Sequence, residues 1–209
     1  MLSFACTGAR PEPWAAGPTL RLDLRVGEDA GVRVHTIALR VQIRIEPRGR
    51  TYTAAESAKL VDLFGEPSRW GETLNPLQLA QVAVMVPGFT GETTVPVPVP
   101  LTYDLDIAAT KYLHGVEDGT IPLLMLFSGT VFLAGPTGVQ VGLVSWSEEA
   151  TYRLPAATWR AAMDEHFPNS AWIRVGTPTL DALSAYRSER VVPTWDDTFA
   201  QLLKEAGDG

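Results

Sequence analysis

The chain has 209 residues, 45% of them hydrophobic and 20% charged, with a formal net charge of −7. This length and apolar share fit one domain, or one domain with an appendage, that can bury a core. The acidic balance argues against a general nucleic-acid binder, which needs Lys and Arg on phosphates, and against electrostatic adsorption to an anionic membrane. Cys6 is the only cysteine, so no intramolecular disulfide can form and a reducing compartment is expected. The opening MLSFACTGARPEP has no basic region followed by an apolar one. No secretory signal is read there, and the expected location is cytoplasmic.

Taken in chain order, Leu2 to Trp14 reads as a short strand leading into an extended arm. Thr19 to Val26 alternates, with Leu20, Leu22, Leu24 and Val26 on one face and Arg21, Asp23 and Arg25 on the other. His35 to Glu46 alternates in the same way. Two such runs joined across Gly27 to Gly31 predict an antiparallel hairpin. Between Thr53 and Phe64 the period changes. Thr53 followed by Glu56 has the form of a capping box and Gly65 that of a helix stop, so a short inserted helix is expected. Arg69 to Gly71 reads as loop. Leu77 to Val86, apolar on both parities, reads as an inner strand.

Val95 to Ile107 keeps Val, Leu, Tyr or Ile on one parity, while Pro96, Pro98 and Pro100 occupy the other. Alternate backbone N–H groups of a strand point to one lateral side, so these prolines remove three successive donors from one edge. The segment is expected to be an edge strand closed to further pairing. From Thr102 onward it is expected to pair antiparallel with Ile121–Leu133 across the Glu117-Asp118-Gly119 turn. Ile121–Leu133 is the most apolar run, carries no charge and is apolar on both parities. It predicts a central strand covered on both faces. One or two further strands fall within Val139 to Leu154.

From Pro155 the period becomes helical. A first helix carries Trp159, Met163 and Phe167 on one stripe, a second opens at Thr177-Pro178, and a third opens at Thr194 with Asp197 and ends at Gly207. Strands first and helices last predict an α+β fold: a mostly antiparallel β-sandwich over residues 1–154, with a helical appendage over 155–209 packed on it. The Val192-Pro193 neighbourhood reads as the hinge before the last helix.

Chemistry-bearing motifs are few. His35, His114 and His166 lack metal-ligand spacing, and neither a metal nor a cofactor is expected. Asp104 and Asp106 share a strand face, and His114 at a strand end could meet them as a carboxylate-oriented base. An ordinary solvated face accounts for the same residues. Ser128-Gly129 lacks the Gly-x-Ser-x-Gly setting of a nucleophile elbow, and Gly129 reads as a bulge or a close backbone approach. Cys6 reads as a buried thiol. Tryptophans near prolines either anchor arms to their own domain or serve as partner hot spots. Trp14, Trp70 and Trp195, with Pro96, Pro98 and Pro100, are the candidate partner-binding residues.

The runs TGARPEPWAAGPTLRLDL, HTIALRVQIRIEPRGRTY, LFGEPSRWG, VMVPGFTG, PVPVPLTYDLDIAATKYLHGVEDGTIPLLMLFSGTVF, YRLPAATWRAAMDEHFP and PTWDD cover nearly the whole chain. In them the chain resembles an uncharacterised family of about its own length, encoded near uptake [NiFe] hydrogenase genes in high-GC Gram-positive bacteria. The resemblance implies an accessory role around a hydrogenase and brings no catalytic residues with it. The order of antiparallel strands followed by helices is also similar, at the level of fold alone, to SecB-type export chaperones. The first expectation is therefore a non-enzymatic accessory or assembly protein that binds another protein, a hydrogenase subunit or maturation factor by the resemblance, with no nucleic acid and no membrane insertion. The alternatives are a SecB-like holdase with an apolar groove and an enzyme of unknown class using His114 with Asp104 or Asp106.

Overall fold

The structure is a computed structural model, and it describes residues 1–101, 107–168 and 175–207. The chain forms two compact units, Met1–Asn169 and Ser170–Gly209. In order, the first unit runs β1 (Leu2–Pro11), β2 (Thr19–Glu28), β3 (Val34–Ile45), α1 (Ala54–Phe64), α2 (Trp70–Thr73), β4 (Leu77–Val86), β5 (Glu92–Pro100), α3 (Ile107–Gly115), β6 (Thr120–Gly135), β7 (Gly138–Leu143), β8 (Glu149–Pro155) and α4 (Ala156–His166). The second unit carries α5 (Thr177–Glu189) and α6 (Trp195–Gly207).

The strands make two antiparallel sheets, one ordered β1-β2-β5 and the other β4-β3-β6-β7, with β8 also on β6. Their apolar faces share one core. Leu20, Leu22, Leu24 and Val26 of β2 are buried with Ile37, Leu39, Val41, Ile43 and Ile45 of β3. Burying each such side chain stabilises by roughly 1.5–3 kcal/mol, and that sum holds the two sheets together. The fold is α+β with a sheet-dominated core, as the order of periods predicts.

β2 and β3 do not form the expected hairpin. β2 pairs β1 and β5, whereas β3 pairs β4 and β6. Alternation records that a strand has one dry face; two strands that face each other across a sandwich satisfy it as well as two that lie side by side. The chain crosses between the sheets, and Val34 and Phe89 tie the crossing by exchanging backbone hydrogen bonds at 2.9 and 3.0 Å.

β4 is an edge strand rather than an inner one: it pairs β3 alone, and Met85 on its outer face is 64% exposed. β6 does lie inside its sheet, with β3 on one side and β8 then β7 on the other. Its core parity, including Leu123, Met125, Phe127 and Val131, is buried; Leu124, Leu126 and Phe132 on the other parity are only half-buried. Apolar character on both parities thus reflects one covered face and one partly wet face. Where β7 gives way to β8 along β6, Gly129 adopts φ +155° and brings its backbone against β3. A Cβ there would stand 2.1 Å from the Ala38 carbonyl oxygen, so the close approach requires glycine.

The Val95–Ile107 segment is a strand only as far as Pro100, and Ile107 opens α3. β5 does not pair with β6: it lies on β2 in the smaller sheet, while β6 is paired by β3, β7 and β8 in the larger one; residues 102–106 lie outside the described residues. The unit boundary also falls after α4, not before it. Ala156, Trp159 and Ala162 of α4 are buried in the core of the first unit. The change of period at Pro155 marks a change of element, while the division between units follows packing.

In the second unit, Thr194 caps α6: its Oγ1 accepts from the Asp197 N–H at 3.1 Å and donates to the Asp197 carboxylate at 2.6 Å. α5 and α6 are linked by Tyr186 Oη donating to Glu205 at 3.0 Å and by the Arg187 guanidinium 4.3 Å over the Trp195 ring.

Candidate functional site

The most heavily bonded polar cluster of the first unit sits where α1 begins. Thr53 Oγ1 accepts from the Glu56 N–H at 3.1 Å, and Glu56 Oε2 accepts from the Thr53 N–H at 2.9 Å, completing the capping box. The same carboxylate accepts from Arg50 Nη2 at 2.7 Å and from the Glu117 N–H at 3.0 Å. Burial alone would raise the Glu56 pKa; the N–H groups of Thr53 and Glu117 and the Arg50 charge outweigh it, and the carboxyl sits below its ordinary value. Beside it, Tyr52 Oη donates to the Pro47 carbonyl at 2.7 Å and lies 2.9 Å from Tyr112 Oη. Burial pushes both phenols up, Tyr112 further because the Tyr52 contact favours its neutral form. Arg50 lies 5.0 Å over the Tyr52 ring. With the carboxylate engaged by three partners and both phenols held neutral, the cluster joins the 47–53 turn, α1 and the end of α3. These bonds staple the three segments together.

His114, the base that an enzyme would use, lies in α3 and not at a strand end. Its ring meets the edge of Trp159 at 5.0 Å, and burial lowers its pKa. Asp104 and Asp106 lie outside the described residues, so their meeting with His114 has no structural account. Among the described residues no group of three or more His, Cys, Asp or Glu is placed to hold a metal ion. Cys6 is half-buried, and burial pushes its thiol up to about 11, which leaves it protonated at neutral pH.

The candidate partner-binding residues separate. Pro96, Pro98 and Pro100 point to solvent, while Val95, Val97 and Val99 are 4%, 1% and 1% exposed. β5 pairs β2 alone, with Pro96 opposite Asp23 and Pro98 opposite Arg21, so the ladder runs through the valines. Trp70 is not available to a partner. It opens α2 rather than lying in a loop, is buried, meets Tyr52 and Phe64 edge-on at 5.2 and 6.1 Å, and donates from Nε1 to the Gly65 carbonyl at 2.8 Å. Trp195 is half-buried, lying against Phe199 and under Arg187.

Trp14 is different. It is 92% exposed on the turn between β1 and β2, and the turn is firmly held. The Ala15 N–H bonds the Glu12 carbonyl at 3.2 Å around Pro13-Trp14, and the Glu12 N–H bonds the Thr19 carbonyl at 2.9 Å. Thr19 Oγ1 donates to the Gly17 carbonyl at 3.0 Å, and His166 Nε2 of α4 lies 3.1 Å from the Ala15 carbonyl oxygen. Pro13 presets φ for the first central turn position, which lets so short a turn hold a bulky side chain outward.

One surface was not singled out in the sequence. On β7, Val139, Val141 and Leu143 are 61%, 61% and 82% exposed, and Trp146 in the following turn is 92% exposed. The signal that could have found it is charge: no Asp, Glu, Lys, Arg or His occurs from Gly119 through Ser147, well past the central strand.

These features define an α+β protein with a two-sheet core and a rigid, aromatic-bearing turn. Over residues 1–209 the chain matches a family of unknown function, DUF6084, and it belongs to that family. No curated protein matches it. A solved structure of beta-glucosidase 3B from Thermotoga neapolitana, in complex with alpha-D-glucose, aligns at 15% identity over 73% of this chain and 17% of that one. Its TM-score of 0.22 carries no argument about fold or activity. No helix among the described residues is long and apolar enough to cross a membrane.

Proposed function

We propose that this protein is a non-enzymatic accessory or assembly protein of the cytoplasm that binds another protein through the Trp14 turn. The observation that supports this reading is a fully presented indole on a turn fixed by four contacts. A large aromatic side chain held rigid before binding loses little entropy when it fills a partner's pocket, and such residues dominate interface energetics. The partner class, a [NiFe] hydrogenase subunit or maturation factor, comes from the resemblance described above.

The test is affinity capture with the tagged whole chain from cells expressing such a hydrogenase, in wild-type and Trp14→Ala forms. The wild type is expected to retain a hydrogenase component, and Trp14→Ala to weaken retention about tenfold or more, the loss typical of a hot-spot aromatic. Recovery of no hydrogenase component would sink the named partner. Equal recovery by both forms would sink the role of the turn.

A further inference from the structure

Sheet edges left open invite pairing, and this fold closes its edges unevenly. The outer edge of β5 lacks donors at Pro96, Pro98 and Pro100, and β5 runs beside β4. β1 runs beside β8 and α4. Among the described residues of Met1–Asn169, β6 is the one element packed extensively against β7, and β7 (Gly138–Leu143) carries no charge, no proline and no bulge. Natural edge strands are commonly guarded by one of those devices.

The face that β7 presents is apolar as well. Register places Val139 opposite Ala134, Val141 opposite Phe132 and Leu143 opposite Thr130, on the side of the sheet turned away from the core. The row continues through Ala38 to Met85. Val139, Val141 and Leu143, with Trp146 in the turn that follows, make an apolar group beside this edge rather than scattered exposed residues. Edge pairing would engage the outward backbone groups of this six-residue strand together with the Val139, Val141 and Leu143 side chains.

We infer that β7 pairs antiparallel with β7 of a second copy of this chain, joining the two larger sheets into one continuous sheet. Charge selects this occupant. A two-fold contact sets the residue at its axis against its own counterpart, so a charged side chain there would meet its like. The chain carries −7 overall, yet the stretch Gly119–Ser147 that contains β7 has no charged residue. A different partner for so acidic a protein would be met with complementary charge at the contact. Side-chain period also fixes the register. A two-fold perpendicular to the sheet sets Val141 against Val141 and Val139 against Leu143, which keeps both apolar rows on one face.

Sedimentation of the whole chain over a concentration series, with wild type and Val141→Lys, tests this. The wild type is expected to dimerise at concentrations on the order of 50 µM, and Val141→Lys, which sets two ammonium groups at the axis, to weaken dimerisation about tenfold or more. Circular dichroism checks that the variant is folded, and Val141 is exposed enough to accept lysine. A second variant, Val141→Cys, is expected to form an oxidised dimer through residue 141, identified by peptide mapping. A monomeric wild type overturns the inference. So does a dimer whose strength Val141→Lys leaves unchanged, an oxidised dimer linked elsewhere, or a monomer that instead binds unfolded polypeptide through this row in the manner of a holdase.

Discussion

Arg50 Nη2 stands 2.7 Å from the Glu56 carboxylate, with only 11% and 2% of the two side chains exposed. Because that carboxylate also accepts the N–H groups of Thr53 and Glu117, one charged group fixes the start of α1 and the chain leaving α3. Removing one member of a buried pair leaves the other charge unmatched. Glu56→Gln is therefore expected to destabilise the fold by about 3 kcal/mol in denaturant unfolding. The native carboxyl titrates below the unfolded one, so the unfolded chain takes up the proton first as pH falls. The stabilisation is complete above about pH 4.3 and is lost as pH drops through the native value. The unfolding midpoint should fall with acid in the wild type, and less steeply in Glu56→Gln; equal acid slopes would exclude this carboxylate as the cause.

Half of that relationship could be read in the sequence. Thr53 and Glu56 are three residues apart, and a capping box is a local rule. Arg50 and Glu117 reach Glu56 only through tertiary packing, which no spacing encodes. The same division runs through the fold. The prolines of β5 were legible because a missing N–H is a property of the residue itself. The partners of β2 and β3 were not, because alternation describes a face and not a neighbour. Trp14 and Trp70 look alike in sequence, each near prolines and glycines. Tyr52 and Phe64, brought from elsewhere in the chain, close over Trp70, and nothing among the described residues closes over Trp14.

The Tyr52–Tyr112 pair gives a second prediction. Tyr52 donates to Pro47, which leaves Tyr112 as donor to Tyr52. Tyr112→Phe removes that bond without emptying the buried ring site and is expected to cost about 1 kcal/mol. Both phenols titrate above their ordinary range in the native state. The unfolded chain thus loses these protons first, and stability should decline as pH rises above about 10. Burial also raises the Tyr152 pKa, so the pair is read by difference. Absorbance titration of Tyr112→Phe should lack one of the phenol steps that the wild type shows above the ordinary range, and loss of no such step would contradict the buried pair.

At Gly129 the backbone of β6 and that of β3 leave no room for a side chain. Gly129→Ala forces a Cβ against the Ala38 carbonyl at a φ that L residues avoid, and is expected to lower stability by about 3 kcal/mol. Gly142→Ala is a control nearby, because the atom it would meet first is a side-chain carbon, Val131 Cγ1, at 3.3 Å. It should cost much less in the same melting experiment.

The last prediction concerns the prolines of β5. Their rings face solvent, and the strand pairs only with β2, so the three N–H groups they lack would all point away from the sheet. The triple change Pro96, Pro98 and Pro100→Thr restores those donors without touching Val95, Val97 or Val99 in the core. Threonine suits a half-exposed strand, which offsets the greater freedom it gives the unfolded chain. The melting temperature is expected to change by no more than a few degrees, while light scattering should show concentration-dependent growth of assemblies through the newly opened edge. Growth should stop when a single central donor is removed again by keeping Pro98. A triple variant that unfolds outright would instead assign the prolines to stiffening the strand, and one that stays folded without associating would show that β4, running beside β5, already shields that edge.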